Sequence, residues 1–279
     1  MKIQLDNNLM SSMILWMDNK ILSKGEAFTN HRGLFYESND IFNELKTFAL
    51  PFKQIVADSS IDNATILSGV YINGVYSNVG ENGLSGIDPY KGLIYLNQNN
   101  NYNEISGNYA VKDFNVYLAS DTEEKILFET QYKIRSKTSQ NPTGIFNDSI
   151  TYPAIFLKYN YSSNKPFAFG GEDMTCINVR AIVLADNLFS LDAVNSILRD
   201  TNNTHIPLLN DFPTDILGCI NNGHYNYNQL YSREDISSNG FYISEVNISK
   251  IDRIENELNP NTFSSIVDFT LENIRYPRG

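Results

Sequence analysis

The sequence predicts an α+β fold rich in β structure: an N-terminal β meander closing as a barrel or sandwich, joined to an α/β unit whose strands carry one packed helix. Three observations carry that expectation. Asn73-Gly74 stands between two β-rich runs, Thr65–Ile72 and Val75–Val79. A two-residue type I′ turn needs positive φ at both central positions, which Asn and Gly adopt most readily. The stretch from Thr151 to Asp200 holds apolar runs at Tyr152–Leu157 and Ile177–Ala185 that feed a helical repeat at Leu188–Leu198. Near the end of the sequence, Phe241, Ile243, Val246 and Ile248 are set against Tyr242, Ser244 and Asn247, the alternation of a half-buried strand.

Taken in order, the first periodic segment is Leu9–Ser23, with Leu9, Met10, Met13, Ile14, Met17 and Ile21 on one face; Asp6 or Asn7 can cap its start and Gly25 can end it. The next forty residues read as irregular. Beyond the Asn73-Gly74 hairpin, strands are expected at Gly92–Leu96, Glu104–Ala110, Phe114–Ala119 and Ile126–Ile134, at the turn spacing of a small barrel or sandwich. In the helix Leu188–Leu198 the apolar positions are Leu188, Leu191, Val194, Ile197 and Leu198, with Ser190 or Asn187 as the cap. Asn221–Tyr231 reads as an ordered loop or interface arm, and Phe241–Ile251 and Ser265–Ile274 as two returning strands. This divides the chain into a helix with a connecting segment (1–53), a β-meander domain (54–135), a polar linker (136–150) and an α+β domain with the C-terminal strands (151–279).

With 279 residues, of which 42% are hydrophobic and 19% charged, the chain can bury a sizeable core. A formal net charge of −11 argues against a nucleic-acid grip, because phosphate neutralisation needs clustered Lys and Arg; an acidic channel could still let DNA slide. Met1–Asp6 lacks the long apolar stretch of a signal peptide, and no window reaches membrane-spanning length. Cys176 and Cys219 are isolated in apolar or small-residue surroundings and read as two free buried thiols of a reducing compartment in preference to the alternative, a disulfide between them.

The residues of catalysis are sparse. His31, His205 and His224 stand in no metal-ligand spacing, so no metal site is expected. There is no nucleophile elbow and no phosphate loop; Gly80–Gly86 is glycine-rich but opens no helix and reads as a wide turn. Asp58, Asp62 and Asp88 flank turns as Ca²⁺ ligands do, without the twelve-residue loop pattern. Acidic groups at Asp121, Glu123 and Glu124, at Glu172 and Asp173, and at Glu234 and Asp235 read as solvated turns rather than a hydrolytic pair. No catalytic residue, cofactor or enzymatic activity is expected. The candidate interface residues are Leu188, Leu191 and Val194 on the helix and Tyr225, Tyr227 and Tyr231 on the aromatic loop, since Tyr joins a rigid apolar face to a polar tip; the loop reads equally well as packing on its own domain.

The segments Ala49–Val56, Ser68–Tyr76, Gly92–Leu96 and Ala110–Leu118 resemble structural proteins of tailed bacteriophages, most of all virion proteins of marine contractile-tailed phages. The layout Tyr152–Phe156, Val179–Ala185, Leu191–Val194 is similar to that of tail-terminator and tail-completion proteins, where a strand pair and a helix build a ring-forming unit. The resemblance covers roughly residues 10 to 200 and transfers no functional residue. It implies a structural subunit of the virion at the neck or tail, made in the host cytoplasm: a head–tail connector, a tail-terminator-like ring or its decoration. Other virion proteins and copies of the chain in a ring would be the partners, with no membrane and no specific nucleic-acid contact, though DNA could pass through a lumen. The alternative is a receptor-binding or fibre-like appendage that recognises glycan through the Tyr-rich loop.

Overall fold

A computed structural model describes residues 5–42, 44–50, 52, 54–89, 92–98, 101–119, 121–128, 134–135, 150–209, 227–230, 240–251 and 262–275. The first helix, α1 (Leu5–Gly25), is buried nearly all round, from Leu9 through Leu22, including the polar Ser11, Ser12, Asp18 and Asn19. A helix covered on every side is an internal strut rather than a surface helix. It lies against strands and a second helix of the C-terminal half.

Residues 26–48, expected to be irregular, form three strands: β1 (Phe28–Leu34), β2 (Tyr36–Phe42) and β3 (Leu45–Ala49). Phe-Thr-Asn-His-Arg-Gly-Leu has no apolar alternation because β1 is an edge strand; its register on a later strand, not its side chains, makes it β. Next come β4 (Gly69–Ile72), β5 (Val75–Asn78), β6 (Leu84–Asp88), β7 (Leu93–Asn97) and β8 (Ile105–Lys112). Asn73 and Gly74 take φ of 50° and 86°, the type I′ hairpin read from the sequence. The glycine-rich stretch turns over Gly80–Gly83, where the amide of Gly80 donates to the carbonyl of Leu84, and Leu84–Gly86 already belong to β6. Two four-stranded antiparallel sheets result, in the orders β1-β8-β4-β5 and β2-β3-β7-β6. Val70, Ile72 and Tyr109 from the first and Phe48, Ile94 and Leu96 from the second share one core, so the meander closes as a sandwich.

The chain then enters a second sheet through β9 (Asn115–Leu118). A strand was expected over Ile126–Ile134, but Glu123–Phe128 is the short helix α2, followed by the two-residue strand β10 (Ile134–Arg135), which pairs with β11 (Ile150–Thr151). Thr122 caps α2 through its carbonyl and hydroxyl, two glutamates lie in its first turn, and Lys125 pairs with Asp121 one turn back. Those local signals outweigh the apolar run Ile126–Phe128. The remaining elements are β12 (Ala154–Pro166), β13 (Asp173–Ala185), α3 (Leu188–Arg199), β14 (His205–Pro207), β15 (Gly240–Ile251) and β16 (Phe263–Arg275). The strand pair β12–β13, the helix and the two returning strands stand where the sequence placed them. Asn187 is the cap of α3: its side chain accepts from the Ser190 amide at 2.7 Å.

The six-stranded sheet has the order β14-β15-β16-β13-β12-β9, antiparallel except for β9 beside β12. One face packs on α1 and α3 through residues such as Val179, Ala181, Val267 and Phe269. The other face is covered at one end by α2, where Ile126 packs with Tyr152, Phe156 and Ile182.

The division at residues 53 and 135 therefore cuts across both cores. β1 pairs with β8 and β3 with β7, while α1 and β9 belong to the second core. Pairing over separations of 44 (Ala49 to Leu93) to 84 residues (Phe28 to Lys112) leaves no local mark in composition. The linker 136–150 lies, but for Ile150, outside the described residues.

Gly240 shows how closely β14 sits on β15. A Cβ there would lie 2.2 Å from the His205 imidazole and 2.6 Å from the Ile206 carbonyl oxygen. Gly240→Ala should lower stability by about 1–3 kcal/mol, whereas Gly86→Ala, whose Cβ meets only Tyr95 at 3.6 Å, should stay within about 0.5 kcal/mol of the parent; urea unfolding reads both. Burial lowers the His205 pKa below its ordinary 6.5. The unfolded chain therefore takes up the proton first, and the stability held above pH 6.5 is lost as pH falls from there toward the lowered folded value. His205→Gln should flatten that part of the stability profile.

Candidate functional site

The six-stranded sheet outruns its coverings. β9 pairs with β12 only over Ala154–Leu157, so Lys158–Pro166 forms a sheet edge with no neighbouring strand among the described residues. This segment is exposed from Tyr161 onward. A bulge at Asn160 shifts the register between Tyr159 and Tyr161. Beyond Pro166 the chain turns at Phe167–Glu172, closed by the Phe167 amide donating to the Glu172 carbonyl at 2.9 Å, and this turn carries Phe167 and the fully exposed Phe169. On the opposite edge, β14 covers Gly240–Tyr242, and Thr204 and Asn203 complete the pairing at Ile243, which leaves Glu245–Ile251 open among the described residues.

The helix residues expected at an interface divide. Leu191 and Val194 are in the core beneath α3, because positions three apart share the face turned to the sheet. Leu188 is exposed, as is its neighbour Phe189. Of the two readings of the aromatic loop, Tyr227 follows the one in which it packs on its own domain. Tyr227 is only 2% exposed, at the start of a 3-10 turn, Tyr227–Leu230. Its amide donates to Asp58 at 2.7 Å and its hydroxyl donates to Asp18. It anchors a segment and presents no face to a ligand, which removes the central member of the expected glycan platform. Tyr225, Tyr231 and His224 lie outside the described residues.

Asp18 is the acceptor that matters most. It sits 1% exposed in the middle of α1 and binds the Lys112 ammonium, itself 6% exposed at the end of β8, at 2.6 Å. Helix, sandwich and the Tyr227 turn meet on one carboxylate. Sequence reasoning passed over this pair; the available signal was an acidic residue inside the apolar run from Met13 to Leu22. A second charged cluster lies on the face carrying α2, where Arg180 of β13 grips Asp268 of β16 through two bonds of 2.7 and 2.9 Å and Glu123 of α2 through two of 3.0 Å. The Asp268 hydrogen bonds raise the Arg180 pKa above its ordinary range, and with Glu123 they outweigh the opposing desolvation.

The other acidic candidates are dispersed. Asp58 is used by the amides of Ser60 and Tyr227, and Glu172 and Asp173 belong to the hairpin turn and the start of β13. Glu234, Asp235 and Cys219 lie outside the described residues, and Cys176 is a free thiol on β13. His31 stacks on Phe52 with ring centres 4.7 Å apart. No group of three or more His, Cys, Asp or Glu able to hold a metal occurs among the described residues, and none of their helices is long and apolar enough to cross a membrane. Comparison with known proteins returns no matching family model and no matching curated sequence.

Removing one partner of a buried ion pair strands the other charge, so Asp18→Ala or Lys112→Ala alone should cost about 3–5 kcal/mol. Asp18→Leu combined with Lys112→Met should recover most of that loss, as read by chemical unfolding of the single and double variants.

Proposed function

We propose that the chain is a structural subunit of a tailed-phage particle, placed at the neck or tail and working by assembly with other virion proteins and with copies of itself. The observation that carries the assembly part is the outer end of the six-stranded sheet: an edge, Lys158–Pro166, left open among the described residues and leading to a turn with two exposed phenylalanines. Burying Phe169 and the half-exposed Phe167 against a partner would contribute about 2–5 kcal/mol, at roughly 1.5–3 for each fully exposed apolar side chain that becomes buried. Monomeric proteins shield long sheet edges. A subunit has reason to keep one open.

The phage context draws support from the virion-like hydrophobic pattern between residues 49 and 118 and from the strand-pair-and-helix layout of β12, β13 and α3. A strongly acidic surface suits a part that lines or borders a DNA passage without holding the DNA. Mass spectrometry of purified phage particles should find the chain in stoichiometric multiples of the portal or tail proteins. A chain abundant in the infected-cell lysate and absent from purified particles would end this reading.

A further inference from the structure

We infer that copies of this chain join edge to edge, the open stretch of β12 in one copy pairing antiparallel with the open stretch of β15 in the next, with Lys165 opposite Glu245. This deepens the assembly reading above and rests on it. Three independent matches support the pairing.

The first is direction. β12, β13, β16 and β15 alternate, so β15 runs antiparallel to β12. Setting a second copy with its β15 beside the first copy's β12, same face forward, continues an antiparallel sheet without a break.

The second is length and register. Following the pairings across the sheet, the open part of β12 lies level with Arg180 to Asp173 of β13, and the open part of β15 lies level with Asn178 to Leu184. Aligning the two stretches end to end shifts each copy by about four residues, an even number, so inward and outward faces coincide as the two-residue period demands. Lys158 then meets Ile251 of the next copy and Tyr161 meets Ser249, with Asn160 left as the bulge. The hairpin turn carrying Phe167 and Phe169 arrives at the neighbour's β14, which is where the open part of β15 stops.

The third is charge. In that register Lys165 falls opposite Glu245 on the same face; both are exposed, and neither has an ion-pair partner among the described residues. Lysines, a proline and a bulge also guard an edge against indiscriminate pairing. Here one of those lysines gains a specific counterpart. The contact is heterologous, so repeated copies close into a ring or run on as a helix. A shift of about 13 Å over a width of four strands, about 19 Å, gives strands tilted by about 35°, within the range of closed barrels.

Two experiments on the purified full-length chain test the pairing. Tyr161 and Ser249 lie on opposite edges of one copy, three strand spacings across and four residues along, about 19 Å apart and too far for an internal disulfide. In a Cys176→Ser, Cys219→Ser background that removes the native thiols, the double variant Tyr161→Cys, Ser249→Cys, oxidised and run without reductant, should give a ladder of covalent multimers, and each single variant should give no such ladder. Lys165→Glu should abolish the multimers seen by mass photometry, and Lys165→Glu with Glu245→Lys should restore them; circular dichroism confirms that these exposed-site variants fold. A disulfide dimer from Tyr161→Cys alone would show like edges meeting and overturn the inference, as would a monomeric chain with no ladder. If the chain is found in phage particles but fails the cysteine test, the edge pairing falls and the virion reading stands. Edge-paired multimers of a chain absent from particles would do the opposite: the pairing stands and the virion reading falls.

Discussion

The buried Asp18–Lys112 pair is the constraint on which the architecture depends. Each ion loses several kcal/mol of hydration on burial, and their attraction repays this only in good geometry with the remaining lone pairs occupied. Tyr227 supplies one of those bonds through its hydroxyl. α1, the end of β8 and the 3-10 turn must therefore dock together, because any one alone would leave a charge or a polar group stranded in an apolar core. The pair ties the end of a sandwich strand to the helix beneath the six-stranded sheet, although the two hydrophobic cores are separate. Tyr227 is fixed further by Asp58, so two carboxylates from the first sixty residues hold a turn from the last sixty.

That frame explains why the sheet can present an open edge. α1 and α3 cover one face, α2 covers part of the other through the Arg180 cluster, and β9 arrives from the sandwich to cover only the first four residues of β12. β16 supports β13 along its whole length, to the Asp173–Arg275 pair, so the outer end of the β12–β13 hairpin is held rigidly by a third strand instead of waving free. A rigid edge is the kind that pairs without a large ordering cost. Phe167 and Phe169, on a turn made permissive by Gly171 at φ 87°, sit at the end of this platform.

Much of the fold was legible in the sequence where the determinants are local. Asn73-Gly74 announces its hairpin, Asn187 announces the start of α3, and the alternation of β15 and the continuous apolar run of β13 follow directly from which faces are buried. What was illegible is non-local. β1 is a strand because β8 lies beside it. α1 shows an apolar face like a surface helix, and nothing in Leu5–Gly25 says that its other side is covered too. Tyr227 has the composition of an exposed aromatic loop around it, and only the carboxylates of Asp18 and Asp58, far away in sequence, bring it inside. Leu191 and Val194 illustrate the same limit for the site: helical spacing identifies an apolar face without saying whether it meets its own sheet or a neighbouring molecule.

Use of the two open edges in assembly is the central claim, and it has a direct readout at the backbone. Hydrogen–deuterium exchange on the intact chain, followed from dilute to concentrated solution, supplies it. Edge pairing predicts that amides in Lys158–Lys165 and Glu245–Ile251 gain protection together as concentration rises, while the amides of β5, an edge of the sandwich, stay unchanged. Exchange in both stretches that does not change with concentration would contradict it.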